Sequence, residues 1–199
     1  MSSLNIDMDI LFEGVYRKLT AEDFGKNLGG ELPLFIQPIP ANKQLEAESQ
    51  VKRLANRLTK IHVSTSIINL YDMCIDILRE EGILDTLLES EKELMREDIV
   101  ATLDGVLDIK SVLIPRIQQT IENDKPQFVF ITGVGSAYPF VRSHGILNNI
   151  DELANQSYLV MFFPGEYNNL QLSLFGKISD ENYYRGYNLN DIETTFDTI

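Results

Sequence analysis

The sequence predicts an α/β fold: a three-layer, mostly parallel sheet of about four core strands with helices on both faces. Three observations point there. Four short runs are apolar on both sides instead of alternating, as strands covered on two faces must be: LFIQPI (34–39), SIINLYD (66–72), QFVFITGV (127–134) and YLVMFFPG (158–165). The stretches between them carry apolar residues at helical spacing, which makes a βαβαβαβ pattern. Right-handed crossovers then make the strands parallel. The strands are expected near 34–38, 66–70, 128–132 and 158–163, with Thr132 to Ser136 and Pro164 to Tyr167 on one edge.

Residues 9 to 19 read as an amphipathic helix, with Leu11, Phe12, Val15, Tyr16 and Leu19 in register. GKNLGGELP then breaks the pattern with three glycines and a proline. In the first strand, Pro38 marks an expected end. From Asn42 a second helix carries Val51, Leu54, Leu58 and Ile61 on one stripe, with Lys52, Arg53 and Arg57 off it. The second strand passes straight into a stripe of Leu70, Tyr71, Cys74, Ile75 and Leu78 that stops at Gly82. Residues 83 to 107 read as helical. SVLIPRIQQTIEND is a further helix with Pro115 tolerable in its first turn. The whole reads as a single domain, 1–199, with an N-terminal helix appendage (1–23) and an acidic tail (190–199) that is mobile at its end.

Thirty acidic residues against 17 basic ones give 199 residues a net charge of -13. Duplex binding draws on clustered cations, so stand-alone nucleic-acid binding is not expected. Lys52, Arg53 and Arg57 read as a solvated helix face. A single cysteine, Cys74, allows no intramolecular disulfide and fits a reducing compartment. Its place on an apolar stripe reads as packed, not reactive. The first twenty residues lack a basic start followed by an apolar block, and no apolar run approaches the ~18 residues a membrane span needs. The expectation is a soluble, cytoplasmic protein.

In parallel sheets ligands bind beyond the carboxyl ends of the strands. TGVGSAYPFVRSHGILNN (132–149) lies there and holds Thr132, Gly133, Gly135, Tyr138, Arg142, His144 and Asn148. A P-loop needs GxxxxGK followed by Ser or Thr; TGVGSAYPF has glycines and a hydroxyl but no lysine in place. The dinucleotide fingerprint fails as well, because Tyr138 stands where its third glycine belongs. The two glycines read as a turn that needs positive φ. Ser136 and Ser143 flank His144 without a nucleophile elbow. His62 and His144 lack metal-ligand spacing, and no metal or cofactor is expected. Arg142 with His144 can engage an anion or a partner carboxylate, or bond to backbone.

Two further clusters stand out. FFPGEYNN places Glu166 and Tyr167 just past the fourth strand. ENYYRGYN brings together Tyr183, Tyr184 and Arg185, residue types that anchor interfaces. Those side chains either face a partner or fold back on the domain, and the sequence leaves both readings open.

Taken together, TGVGSAYPFVRSHGILNNI, VMFFPGEYN, LFGKISDENYYRGYNL, NLYDMCIDIL and GELPLFI resemble the BrxB family of bacteriophage exclusion (BREX) defence systems. The resemblance runs from about Phe24 to Leu189 and keeps the motif order. It implies a non-enzymatic assembly component of antiviral defence, encoded beside a methyltransferase, an ATPase and the alkaline-phosphatase-like protein PglZ. PglZ is the implied direct partner, with the methyltransferase a second candidate and self-association open. The implied fold is a P-loop-like or Rossmann-like domain without a functional phosphate loop. No catalytic residues carry over from the family. The competing reading is a degenerate nucleotide-sensing or phosphoester-acting enzyme that uses the 132–148 turn.

Overall fold

The computed structural model describes residues 6–26, 33–90, 92–149, 153, 157–168, 171–179 and 186–194. Four parallel strands form the centre of one sheet: β1 (Leu34–Ile39), β2 (Thr65–Asn69), β3 (Phe128–Thr132) and β4 (Tyr158–Tyr167). Their order across it is β2-β3-β4-β1. Three short strands complete the sheet. β5 (Leu172–Leu174) pairs antiparallel with the far end of β4, β6 (Ile178–Ser179) pairs antiparallel with β5, and β7 (Tyr187–Asn188) lies beside β1.

Strand alternation sorts the core into two layers. Phe35, Phe128, Phe130, Val160 and Phe162 face α1 (Met8–Leu19) and α2 (Gln44–Lys60). Ile36, Ile68, Val129, Ile131 and Met161 face the remaining helices: α3 (Leu70–Glu80), α4 (Leu84–Ser90), α5 (Arg96–Val106), α6 (Ile114–Asp124), α7 (Val134–Ala137) and α8 (Ser143–Leu147). The three-layer α/β expectation is met.

Local chemistry fixes the helix ends. Asp7 caps α1, its carboxylate accepting the Asp9 and Ile10 amides at 2.9 and 3.3 Å. Met8, Phe12, Val15 and Leu19 are buried, so α1 is part of the core of its layer. Arg57 of α2 ties the two helices together. It donates to Glu13 at 2.8 Å and lies 3.7 Å from the centre of the Tyr16 ring. The arginine bond also holds the Glu13 carboxyl below its usual range.

The helical reading of 83–107 divides in two. Residues 89–93 offer no apolar side chain to hold a turn against the core. There the Glu93 and Leu94 amides turn back onto the Ser90 carbonyl at 2.9 and 3.0 Å, and α5 starts afresh after Met95. A π turn, Ile109–Leu113, leads into α6, with Pro115 in that helix's first turn as expected.

Strand β1 runs through Pro38, and β4 runs through Pro164 as far as Tyr167. Both strands outlast the sequence expectation, for one reason. Leu159 donates to the Pro33 carbonyl at 2.8 Å, so odd-numbered residues of β1 bond to β4 and Pro38 points the other way. On that side β7 stops opposite Ile36. Pro164 likewise points toward β3, whose pairing with β4 stops at Met161. Each proline lacks its N–H where its parallel neighbour has already ended.

Cys74 is 3% exposed, and burial pushes its thiol up to about 11. The native protein should therefore resist thiol reagents at pH 8 and react fully in denaturant. The raised value also gives a pH signature. Its stabilising contribution is complete below about pH 9, the ordinary thiol value, and is lost as pH rises through about 11. Urea midpoints should fall from pH 8 to pH 10.5, and fall less in Cys74→Ala. An equal fall in both would remove Cys74 as the cause.

Candidate functional site: a sealed strand edge between two clefts

The carboxyl ends of the strands form the edge where an α/β sheet holds ligands. β1 leads into α2 on one face and β3 into α7 on the other, so a crevice should open between them. The chain fills it. Past the end of β3, β5 takes the place beside β4, pairing Gly165 with Leu174 and Tyr167 with Leu172. The Phe175 amide donates to the Pro164 carbonyl at 2.8 Å.

The glycines of the 132–136 turn record this closure. Gly133 has φ 71°, and a Cβ there would overlap the side-chain oxygen of Asn69. That oxygen is already committed, accepting the Tyr71 and Asp72 amides at 3.0 and 3.2 Å to cap α3. A Cβ on Gly135 would meet Gln44, Phe175 and Pro164. The Gln44 side-chain NH2 donates to the Ser136 hydroxyl at 2.5 Å. Thr132 is buried. Thr132 to Ser136 is thus a packed turn whose glycines admit other side chains.

A cleft lies on each side of the seal. The larger, about 1030 Å³, runs between the start of α1, the end of β1 and the β4–β5 hairpin; Glu166 and Lys177 reach it. The smaller, about 440 Å³, has an apolar floor of Val134, Val141, Phe163 and Leu174. Tyr138, Arg142, Ser143 and His144 line one wall, and Ile178 and Ser179 the other. Arg142 is exposed, His144 half-buried. Guanidinium, imidazole, phenol and hydroxyl groups over an apolar floor suit a carboxylate-bearing or anionic group of a partner.

The structure therefore groups Tyr138, Arg142 and His144 and separates them from Glu166. Tyr167 is the last residue of β4, not past it. Its hydroxyl donates to the Gly186 carbonyl at 2.8 Å, and its own carbonyl accepts from the Asn188 side-chain NH2 at 3.0 Å. Burial pushes its phenol up. It is a tie between the hairpin and the segment leading to β7. Asn148 is exposed at the end of α8. Tyr183, Tyr184 and Arg185 lie outside the described residues.

Among the described residues no group of three or more His, Cys, Asp or Glu side chains could hold a metal ion. No described helix is long and apolar enough to cross a membrane. The sequence reading gave Gln44, Asn69 and Phe175 no role of their own. Asn69 carried a usable signal, an Asn directly before a helical stripe; the other two carried none.

The family model for BREX protein BrxB matches residues 66–189. The chain is 33% identical over 180 residues to a BREX protein BrxB from Bacillus cereus, covering 87% of this chain and 93% of the relative. It is 28% identical over 177 residues to a BREX protein BrxB from Escherichia coli strain HS, covering 88% of each. No solved structure matches the chain.

Proposed function

The chain belongs to the BrxB family of BREX proteins, and on that premise we propose that it is a non-enzymatic assembly component of a BREX antiphage defence system. Its direct partner in this reading is a PglZ-like protein of the alkaline-phosphatase superfamily, met in the cytoplasm. One observation carries the proposal: the strand edge that would hold a nucleotide is occupied by Gln44, Pro164 and Phe175. The cleft beside it presents side chains suited to recognition. Tyr138, Arg142 and His144 contact the partner, with Thr132, Gly133 and Gly135 shaping the turn beneath them. Asn148, Glu166, Tyr183, Tyr184 and Arg185 are further contact candidates, and Tyr167 supports the hairpin.

The expected result is capture of the neighbouring PglZ-like protein by the purified chain, with no heat of ATP binding at micromolar concentration. Arg142→Ala should weaken capture. Truncating an interface anchor commonly costs about 2 kcal/mol, which is about thirtyfold in affinity. Arg142 is exposed, so the melting temperature should stay unchanged. Tyr184→Ala and Arg185→Ala extend the test to the Tyr-Arg cluster. ATP turnover lost in His144→Ala would instead establish an enzyme.

A further inference from the structure

β2 is the outermost strand on its side of the sheet, and no strand lies beyond it among the described residues. The Ser64 carbonyl accepts the Phe128 amide at 3.1 Å. Residues 66 and 68 then bond to β3 as well, and the backbone groups of Thr65, Ile67 and Asn69 face outward. Natural edges are guarded by lysine, proline or a bulge. The strand TSIIN has none of these, and Ile67 at its midpoint is 38% exposed. A groove of about 370 Å³ wraps this edge, with Glu48 and Lys52 of α2 contributed from one face of the sheet and Asp76 and Arg116 from the other.

We infer that β2 is the interface of a homodimer, in which it pairs antiparallel with β2 of a second copy and joins two sheets into one. Charge selects a second copy over an unrelated strand. A two-fold axis at Ile67 sets Ile67 against its own counterpart, Ser66 against Ile68 and Thr65 against Asn69. α2 packs beside β2 and runs opposite to it, as the crossover from β1 requires. The same axis lays the two α2 helices side by side in opposite directions. Glu48 and Lys52, one turn apart on the groove, then meet in crossed pairs of opposite sign. These attractions offset part of the repulsion between two chains of net charge -13.

Analytical ultracentrifugation from micromolar to near-millimolar protein tests the pairing. The wild-type chain should dimerise, more tightly as salt screens the repulsion between the two net charges. Ile67→Lys sets two ammonium groups opposite each other and should raise the dimer Kd by roughly tenfold or more. Glu48→Lys and Lys52→Glu should each weaken the dimer, and the double reversal should restore it. Circular dichroism checks that each variant folds; should Ile67→Lys fail, the charge reversals on the helix surface decide. A wild-type chain that stays monomeric overturns the homodimer. So does a dimer whose Kd none of these variants changes. A monomer that instead captures an extended peptide along β2 overturns it in favour of strand addition by a different partner.

Discussion

Phe162→Ala should lower stability by about 3–5 kcal/mol, the range for removing a buried aromatic ring. Phe162 is 2% exposed on β4, the strand flanked by β3 and β1. Its ring stacks on Phe12 of α1 at 5.4 Å and meets Phe130 of β3 edge-on at 5.7 Å. One side chain therefore joins the N-terminal helix to two central strands. Its loss removes apolar burial and aromatic contacts together, and the backbone of a central strand cannot collapse into the space. A domain of this size loses about 2–4 °C per kcal/mol, so a fall of roughly 6–20 °C in Tm follows. Phe140→Ala, at a ring 37% exposed, provides the comparison and should change little. A loss below 1 kcal/mol for Phe162→Ala would show that α1 is not anchored through this ring.

Gly133→Ala should cost about 1.5–4 kcal/mol. The left-handed backbone accounts for roughly 1–2 kcal/mol once a Cβ is present. The rest comes from Asn69, whose oxygen occupies the Cβ position while capping α3. Displacing a cap of this kind costs about 0.5–2 kcal/mol. A double-mutant cycle separates the two parts. In an Asn69→Ala background the clash is gone, and Gly133→Ala should cost only the backbone share. Equal costs in both backgrounds would refute the clash. Gly14→Ala gives the opposite sign: Gly14 lies within α1 with nothing near its Cβ position. Replacing it should stabilise by roughly 0.5–1 kcal/mol.

Asn69 and Gly133 also show what the sequence could and could not disclose. The four central strands were legible because both faces of each run are apolar, a pattern only a covered sheet needs. The Gly133–Gly135 pair was legible as a turn for the same local reason that it failed as a phosphate loop. What closes that turn was not legible. Asn69 and Gln44 lie far upstream, and Phe175 arrives on a strand of three residues, too short to leave a periodic signal. The extension of β4 was hidden by Pro164 and Gly165, which read as an end. Only the knowledge that β3 stops first makes a proline acceptable there. The pairing of β1 with β4 was hidden as well, since no local pattern states which strands are neighbours.

That pairing has a consequence for how the chain is made. Leu34 sits opposite Leu159, 125 residues later. A ribosome adding about 5–20 residues per second therefore releases β1 on the order of ten seconds before its main neighbour. During that interval LFIQPI and the apolar faces of α1 and α2 have no sheet to cover. β2 and β3, by contrast, can pair without β1. Translation thus produces the protein in two parts, an early apolar unit that waits and a later sheet that captures it when β4 emerges. Holdase chaperones that cover apolar nascent segments, and codon choice that shortens the wait, should raise the yield of folded protein without altering the stability of the finished fold.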